Sequence, residues 1–153
     1  MKFVPKELEA NVVAAVSAAL AAAGIETDHV LVRSMPALGR FAGLEQAAFE
    51  KFRTFPRRSC PDVFFVWDLF VARGVFAALQ RLDVRIPEDV SVVAQTNPGL
   101  GLLAPCPVTR FEADGESVGA TVAGFVLSIL QKGRIPKVPT IGRTYVIGGT
   151  FPR

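Results

Sequence analysis

Hydrophobic and polar positions along this chain switch between two periods. Glu7 to Ala23 repeats at helical spacing and stops at Gly24, a residue suited to a left-handed cap. Val30-Leu31-Val32 reads as a short buried strand. From Gly43 to Phe55 the positions Leu44, Ala47, Ala48, Lys51, Phe52 and Phe55 fall near one helical face, and Pro56 ends the pattern. Val63-Phe64-Phe65-Val66-Trp67 is an unbroken apolar run between Pro61-Asp62 and Asp68, which predicts a strand covered on both faces. Asp68 is placed to cap a helix from Leu69 to Leu82 whose packed side would hold Phe70, Gly74, Ala77, Ala78 and Leu82. Ile86-Pro87-Glu88-Asp89 then turns the chain into a strand from Val90 to Gln95.

Beyond Asn97 the pattern loosens. Pro98, Gly99, Gly101, Pro105 and Pro107 predict a loop, followed by a short strand from Val108 to Phe111. Ser117 to Gln131 is a second amphipathic helix closed by Gly133, and Pro136 and Pro139 lead to a last strand, Thr144 to Ile147, with a Gly-Gly end. Strands alternating with helices favour parallel pairing through crossovers, hence an α/β fold with an open, mostly parallel sheet flanked by helices.

The length, 153 residues, is that of one domain, and a chain half hydrophobic has enough apolar surface for a core without disulfides or metals. Cys60 and Cys106 stand far apart, outside any C-x-x-C, and read as idle thiols of a reducing, cytoplasmic compartment. The net charge of +3 is mild and dispersed except at Lys51, Arg53, Arg57 and Arg58, where cations suit a helix C-terminus. The apolar run Val12 to Ile25 is shorter than the roughly 20 residues of a membrane span. It is also mostly alanine and follows Glu7 and Glu9, unlike a secretory leader. The chain carries no helix-turn-helix or zinc-finger spacing, so specific DNA binding by this chain alone is not expected. A mobility shift with sequence preference at low salt would contradict that.

Two segments imitate catalytic motifs. Gly115-Glu116-Ser117-Val118-Gly119 matches the G-x-S-x-G nucleophile elbow, but no Asp, Glu or His follows Ser117, and the single histidine, His29, lies far upstream. Ser117 is more simply a residue whose hydroxyl accepts from a helix N-terminal amide. Gly99-Leu100-Gly101-Leu102-Leu103-Ala104 matches a dinucleotide fingerprint, yet Pro105 and Pro107 break the helix that would face the pyrophosphate. One histidine and no Cys/His cluster leave no transition-metal site, so neither an enzyme nor a cofactor is expected.

The stretch Pro61-Asp62-Val63-Phe64-Phe65-Val66-Trp67-Asp68, continuing through Gly74 to Leu79, resembles the lactose/galactose repressor (LacI/GalR) family of bacterial transcription regulators, as does Val84-Arg85-Ile86-Pro87-Glu88-Asp89-Val90-Ser91-Val92-Val93. Pro107 to Phe111 is similar to the strand that follows in that family, Ser117 to Gly133 to its next helix, and Val16 to Ile25 to an upstream helix. The resemblance implies a two-lobed, periplasmic-binding-protein-like effector domain, of which this chain would be the C-terminal half. Residues about 10–111 would form the second lobe, about 112–140 would cross back toward the first lobe, and 141–153 would hold a terminal strand. The DNA-binding head and most of the first lobe would be absent, so DNA would be a partner only through that head.

What the resemblance implies for function is effector sensing and homodimerisation, with a sugar or sugar derivative as effector. The alternative is a solute-binding protein of the same fold. The chain departs from the family at the pocket: Trp67-Asp68 stands where an Asn-Asp pair is usual, and Ala94-Gln95-Thr96-Asn97 lacks the usual acid. The arginine often found on the first helix is replaced by apolar residues near Val12. In open α/β sheets ligands sit beyond the carboxyl ends of the strands. Trp67, Asp68, Thr96 and Asn97 are therefore the candidate effector-binding residues, beside the loop Pro98 to Ala104, with Trp67 stacking, Thr96 and Asn97 hydrogen bonding and Asp68 mainly capping its helix. The apolar residues of the last helix, Val118, Val122, Phe125, Val126, Ile129 and Leu130, exceed what one sheet face needs, which predicts burial against a second chain, with exchange of the segment after Phe111 as one route.

Overall fold

The computed structural model describes residues 6–26, 41–56, 58, 60–133, 137 and 142–151. The predicted strand Val30–Val32, His29 and Arg57 lie outside them. The chain forms two compact units, Met1–Leu44 and Glu45–Arg153. The first contains α1 (Lys6–Ala22), where Gly24 takes the left-handed conformation expected of it (φ +73°) and the Ile25 amide donates to the Leu20 carbonyl at 2.9 Å. Helix α2 (Phe41–Phe52) begins at the junction, and all else described belongs to the second unit.

That unit holds β1 (Val63–Val66), α3 (Leu69–Arg81), β2 (Ser91–Thr96), β3 (Thr109–Ala113), α4 (Gly115–Lys132) and β4 (Arg143–Val146). The four strands form one sheet in the order β1-β2-β3-β4. β1, β2 and β3 run parallel, with Phe64 opposite Val92 and Val93 opposite Thr109, and β4 returns antiparallel with Tyr145 opposite Phe111. The open, mostly parallel sheet of the sequence reading is thus present, and element limits differ from expectation by one to two residues at most ends, as fraying ends allow.

The core lies on one face of the sheet. Val66 of β1 and Val92 and Ala94 of β2 pack with Ala72, Val75, Phe76 and Leu79 of α3, and Val84, Ile86, Val90 and Val108 complete the cluster. Helix α2 meets α3 at Gly74, where an added Cβ would lie 2.2 Å from the Glu45 carbonyl oxygen and 2.6 Å from the Ala48 side chain. Phe52, at the end of α2, packs edge-on against Phe64 with ring centroids 5.6 Å apart.

Two predictions about faces need correcting. On α3 the buried side is Ala72, Gly74, Val75, Phe76, Ala78 and Leu79, while Ala77 is exposed and Phe70 and Leu82 are half-buried. The helix touches the sheet on one side and α2 on another, so its buried arc is wider than one amphipathic stripe. On β1 the two faces are unequal: Phe64 and Val66 turn to the core, whereas Val63 and Phe65 are each 45% exposed. An apolar run does not by itself demand two-sided burial. Here the outer side chains cover one another, Phe65 lying 5.4 Å from Trp67 and 6.0 Å from Phe111, which lies 5.0 Å from Tyr145.

The turn within the Val84–Val93 stretch that carries the resemblance has a structural task. The Arg85 amide and Nε each donate to Asp89 Oδ2 at 3.0 Å, and Nη2 donates to Oδ1 at 2.5 Å, closing the turn that delivers Val90 to β2. Hydrogen bonding and charge from Asp89 raise the Arg85 pKa above its usual value.

Candidate functional site

The carboxyl ends of β1, β2 and β3 and the first residue of β4 share one edge of the sheet, because Val66 is paired with Ala94, Thr96 with Glu112 and Ala113 with Arg143. All four sequence-predicted site residues sit on this edge, but alternation along the strands divides them between the two faces. Continuing the β1–β2 register by one residue puts Trp67 beside Gln95, on the open face, and by two puts Asp68 beside Thr96, on the α3 face.

On the α3 face, Asp68 is in extended conformation and its Oδ1 accepts from the amides of Phe70 at 2.8 Å and Val71 at 3.0 Å. That satisfies two donors of the first turn of α3 and places a carboxylate at the positive end of the helix. Thr96 is 2% exposed, and its Oγ1 has no hydrogen-bond partner among the described residues. Its strand neighbour Glu112 takes an ion pair from Arg110 Nε at 2.7 Å. Asn97 is exposed and opens the turn to the Pro98–Ala104 loop, its carbonyl accepting from the Leu100 amide at 3.2 Å. Within that loop Leu103 is 94% exposed.

On the open face, Trp67 is 51% exposed, and the Arg143 guanidinium lies over its ring, 4.6 Å from the centroid. Arg143 Nη1 also donates to Gln95 Oε1. Arg143 therefore reaches from β4 across β3 to β2 and the end of β1. Sequence reasoning passed over both Gln95 and Arg143. Gln95 stands out in β2 only as a polar residue after the apolar Val92-Val93-Ala94, and the pairing with Arg143 spans 48 positions and has no local signature.

The segment that imitates a nucleophile elbow is accounted for locally. Helix α4 starts at Gly115, two residues earlier than Ser117, and its cap is Asp114, whose Oδ1 accepts from the Glu116 amide at 3.0 Å. Ser117 is inside the first turn, where its carbonyl accepts from Thr121 Oγ1 at 2.8 Å. The expectation that Ser117 supplies the capping hydroxyl is thus corrected: Asp114 reaches the orphan amide first and adds a charge that suits the helix end. Cys60 and Cys106 are free and half-buried. Among the described residues no cluster of three or more His, Cys, Asp or Glu could hold a metal ion, and no helix is long and apolar enough to cross a membrane.

A family profile described as "Periplasmic binding protein-like domain" matches residues 4–151. No curated protein matches the sequence. Among solved structures, a transcription-regulator-like protein from Staphylococcus haemolyticus superposes with a TM-score of 0.65 at 16% identity, over 94% of this chain and 48% of its own. A LacI family transcriptional regulator from Lactobacillus casei with bound glucose gives 0.53 at 22% identity, over 72% and 39%. Another LacI family regulator, from Arthrobacter sp. FB24 in complex with lactose, gives 0.54 at 21%, over 76% and 44%. These likenesses establish a shared fold, and the chain spans less than half the length of each of the three.

Proposed function

The chain belongs to the periplasmic binding protein-like domain family, and we propose that it serves as the effector-binding and dimerising part of a LacI/GalR-type transcriptional regulator. In this reading it acts in the cytoplasm without catalysing a reaction, residues about 112–140 lead toward a first lobe, and DNA is contacted by a separate head. The solved regulators of this fold that carry glucose and lactose support a sugar or sugar derivative as effector.

The observation that carries the reading is Thr96. A buried hydroxyl without a partner is costly, and Thr96 Oγ1 has none among the described residues, so a ligand group or water that supplied one would be favoured. Its place at the carboxyl edge, between Asp68 and Asn97 and one residue from Gln95, is where open α/β sheets receive ligands. Asp68 holds the N-terminus of α3 at the same edge, and Asn97 and the Trp67 ring offer an amide and a stacking surface.

Trp67 is the only tryptophan, so its emission reports on the edge directly. A titration with pentoses, hexoses and sugar phosphates into the millimolar range is expected to give a saturable change for at least one of them. Thr96→Val keeps the shape and removes the hydroxyl. Its expected effects are opposite in sign: a gain of about 1 kcal/mol in unfolding free energy, and a weaker sugar response. An unaltered sugar response in Thr96→Val would remove Thr96 from the site, and no response to any sugar in the parent chain would overturn the reading.

Self-association belongs to the same proposal. Helix α4 buries none of its residues, and Val122, Val126, Leu127, Ile129 and Leu130 are between 45% and 77% exposed. A contiguous apolar stripe of this kind on a soluble domain marks an interface, and a second copy supplies a matching surface by symmetry. Sedimentation at tens of micromolar is expected to show a dimer, and Val126→Asp combined with Leu130→Asp to weaken it at least about tenfold. A monomer for the parent chain would count against the interface.

A further inference from the structure

The geometry points to an anionic effector: we propose that Arg143, laid on Trp67 and tethered to Gln95, reads a carboxylate or phosphate group of the ligand at the carboxyl edge. The inference rests on the edge being the effector site and adds the ligand's charge class.

Charge at this edge is unevenly balanced. Three of its acids have local partners. Asp68 sits on the amides of Phe70 and Val71 at the positive end of α3, and Asp114 on the Glu116 amide at the start of α4. Glu112 is paired with Arg110 at 2.7 Å. Arg143 differs: its contacts among the described residues are the neutral Gln95 amide oxygen and the Trp67 ring. Neither neutralises a full positive charge, although the ring face attracts it. A guanidinium has five N–H donors in a rigid fork, and the bond to Gln95 uses one nitrogen. The remaining fork edges suit a bidentate oxyanion, which Lys could not grip in the same way.

Position and order strengthen the case. Arg143 is the first residue of β4 and lies at the carboxyl ends of the parallel strands because β4 runs antiparallel. Its side chain is held at two points, by the indole and by Gln95, across three strands of the sheet, so little conformational freedom remains to be lost on binding. The indole beneath it is half-exposed, so its uncovered rim can contact a ligand whose anionic group is directed to the guanidinium. A purely structural Arg143 would brace Trp67 without discriminating between ligands by charge.

The test compares glucose, gluconate and glucose 6-phosphate on the full chain, read by Trp67 emission and independently by equilibrium dialysis. The expected result is at least about tenfold tighter binding of one anionic sugar than of glucose, weakening as salt is raised. Gluconate and the phosphate ester separate a carboxylate from a phosphate. Arg143→Met, which keeps a long apolar stem over the indole, should weaken the preferred anionic sugar at least about tenfold more than it changes glucose, and Gln95→Leu should reduce the preference partly. Equal binding of glucose and both anions, or an equal loss for all three in Arg143→Met, would overturn the anionic assignment and leave the effector site standing. Failure of all three, with the wider panel of neutral sugars and sugar phosphates also silent, would overturn both.

Discussion

Gly74→Ala is expected to destabilise the second unit by about 3 kcal/mol, although the same substitution in an open helix would stabilise it by up to about 1 kcal/mol. The reversal comes from α2. A Cβ at this point of α3 would lie 2.2 Å from the Glu45 carbonyl oxygen, 2.6 Å from the Ala48 Cβ and 2.8 Å from the Phe49 amide nitrogen. Two of these are backbone atoms, which cannot rotate away, and Ala48 is itself completely buried. α2 would have to slide off α3, withdrawing Phe52 from Phe64 and opening the core under β1. Gly124→Ala on α4 is the internal control, since nothing lies within 4 Å of its added Cβ. It should stabilise by about 0.5–1 kcal/mol through helix propensity alone. Urea unfolding of the two variants beside the parent chain decides the matter, and equal effects in both would remove the close helix contact from the account.

Gly74 also shows where sequence reading stops. Its place on the packed side of α3 was legible from helical spacing, and so was the Asp68 cap, because both depend on neighbours within one or two turns. The same holds for Gly24 and Gly133, whose left-handed conformations follow from lying just past a helical pattern. Periodicity could not tell which partner lies against each face. The run from Val63 to Trp67 is equally apolar on both sides, and only the tertiary packing leaves Phe65 and Trp67 exposed while Phe64 and Val66 face α3. The candidate site divides in the same way. The position of Thr96 and Trp67 at the carboxyl edge follows from asking where parallel strands end, a rule that needs only element order. Arg143 could not be found so, because its relation to Trp67 and Gln95 depends on β4 turning back beside β3, and long-range pairing leaves no trace in local spacing.

Thr150→Val should cost about 3 kcal/mol, one of the largest losses available to a change of so little volume. In sequence the segment reads as a Gly-Gly end to the last strand, yet it ties the amino ends of β2 and β3 together. Thr150 Oγ1 accepts from the Thr109 amide at 2.9 Å and donates to the Val92 carbonyl at 2.7 Å, while its own carbonyl accepts from the Val92 amide at 2.8 Å. Valine fills the same space and leaves a buried donor and a buried acceptor unpaired, each costing about 1–3 kcal/mol. Serine retains the hydroxyl, so Thr150→Ser should recover most of the loss, which separates the hydrogen bonds from packing. Gly148, two residues earlier, is required for a different reason. A Cβ on Gly148 would meet the Pro107 carbonyl oxygen at 2.2 Å and the Thr109 amide nitrogen at 2.6 Å, and the Gly148 amide donates to Thr109 Oγ1 at 3.0 Å. Gly148→Ala must therefore lift the segment off β3 and release Thr150 as well. Its effect combined with Thr150→Val should fall well short of the sum, because both act on one set of bonds. Additive losses in a double-mutant cycle followed by urea unfolding would show that the two residues act separately and that no common clasp holds β2 and β3 in register.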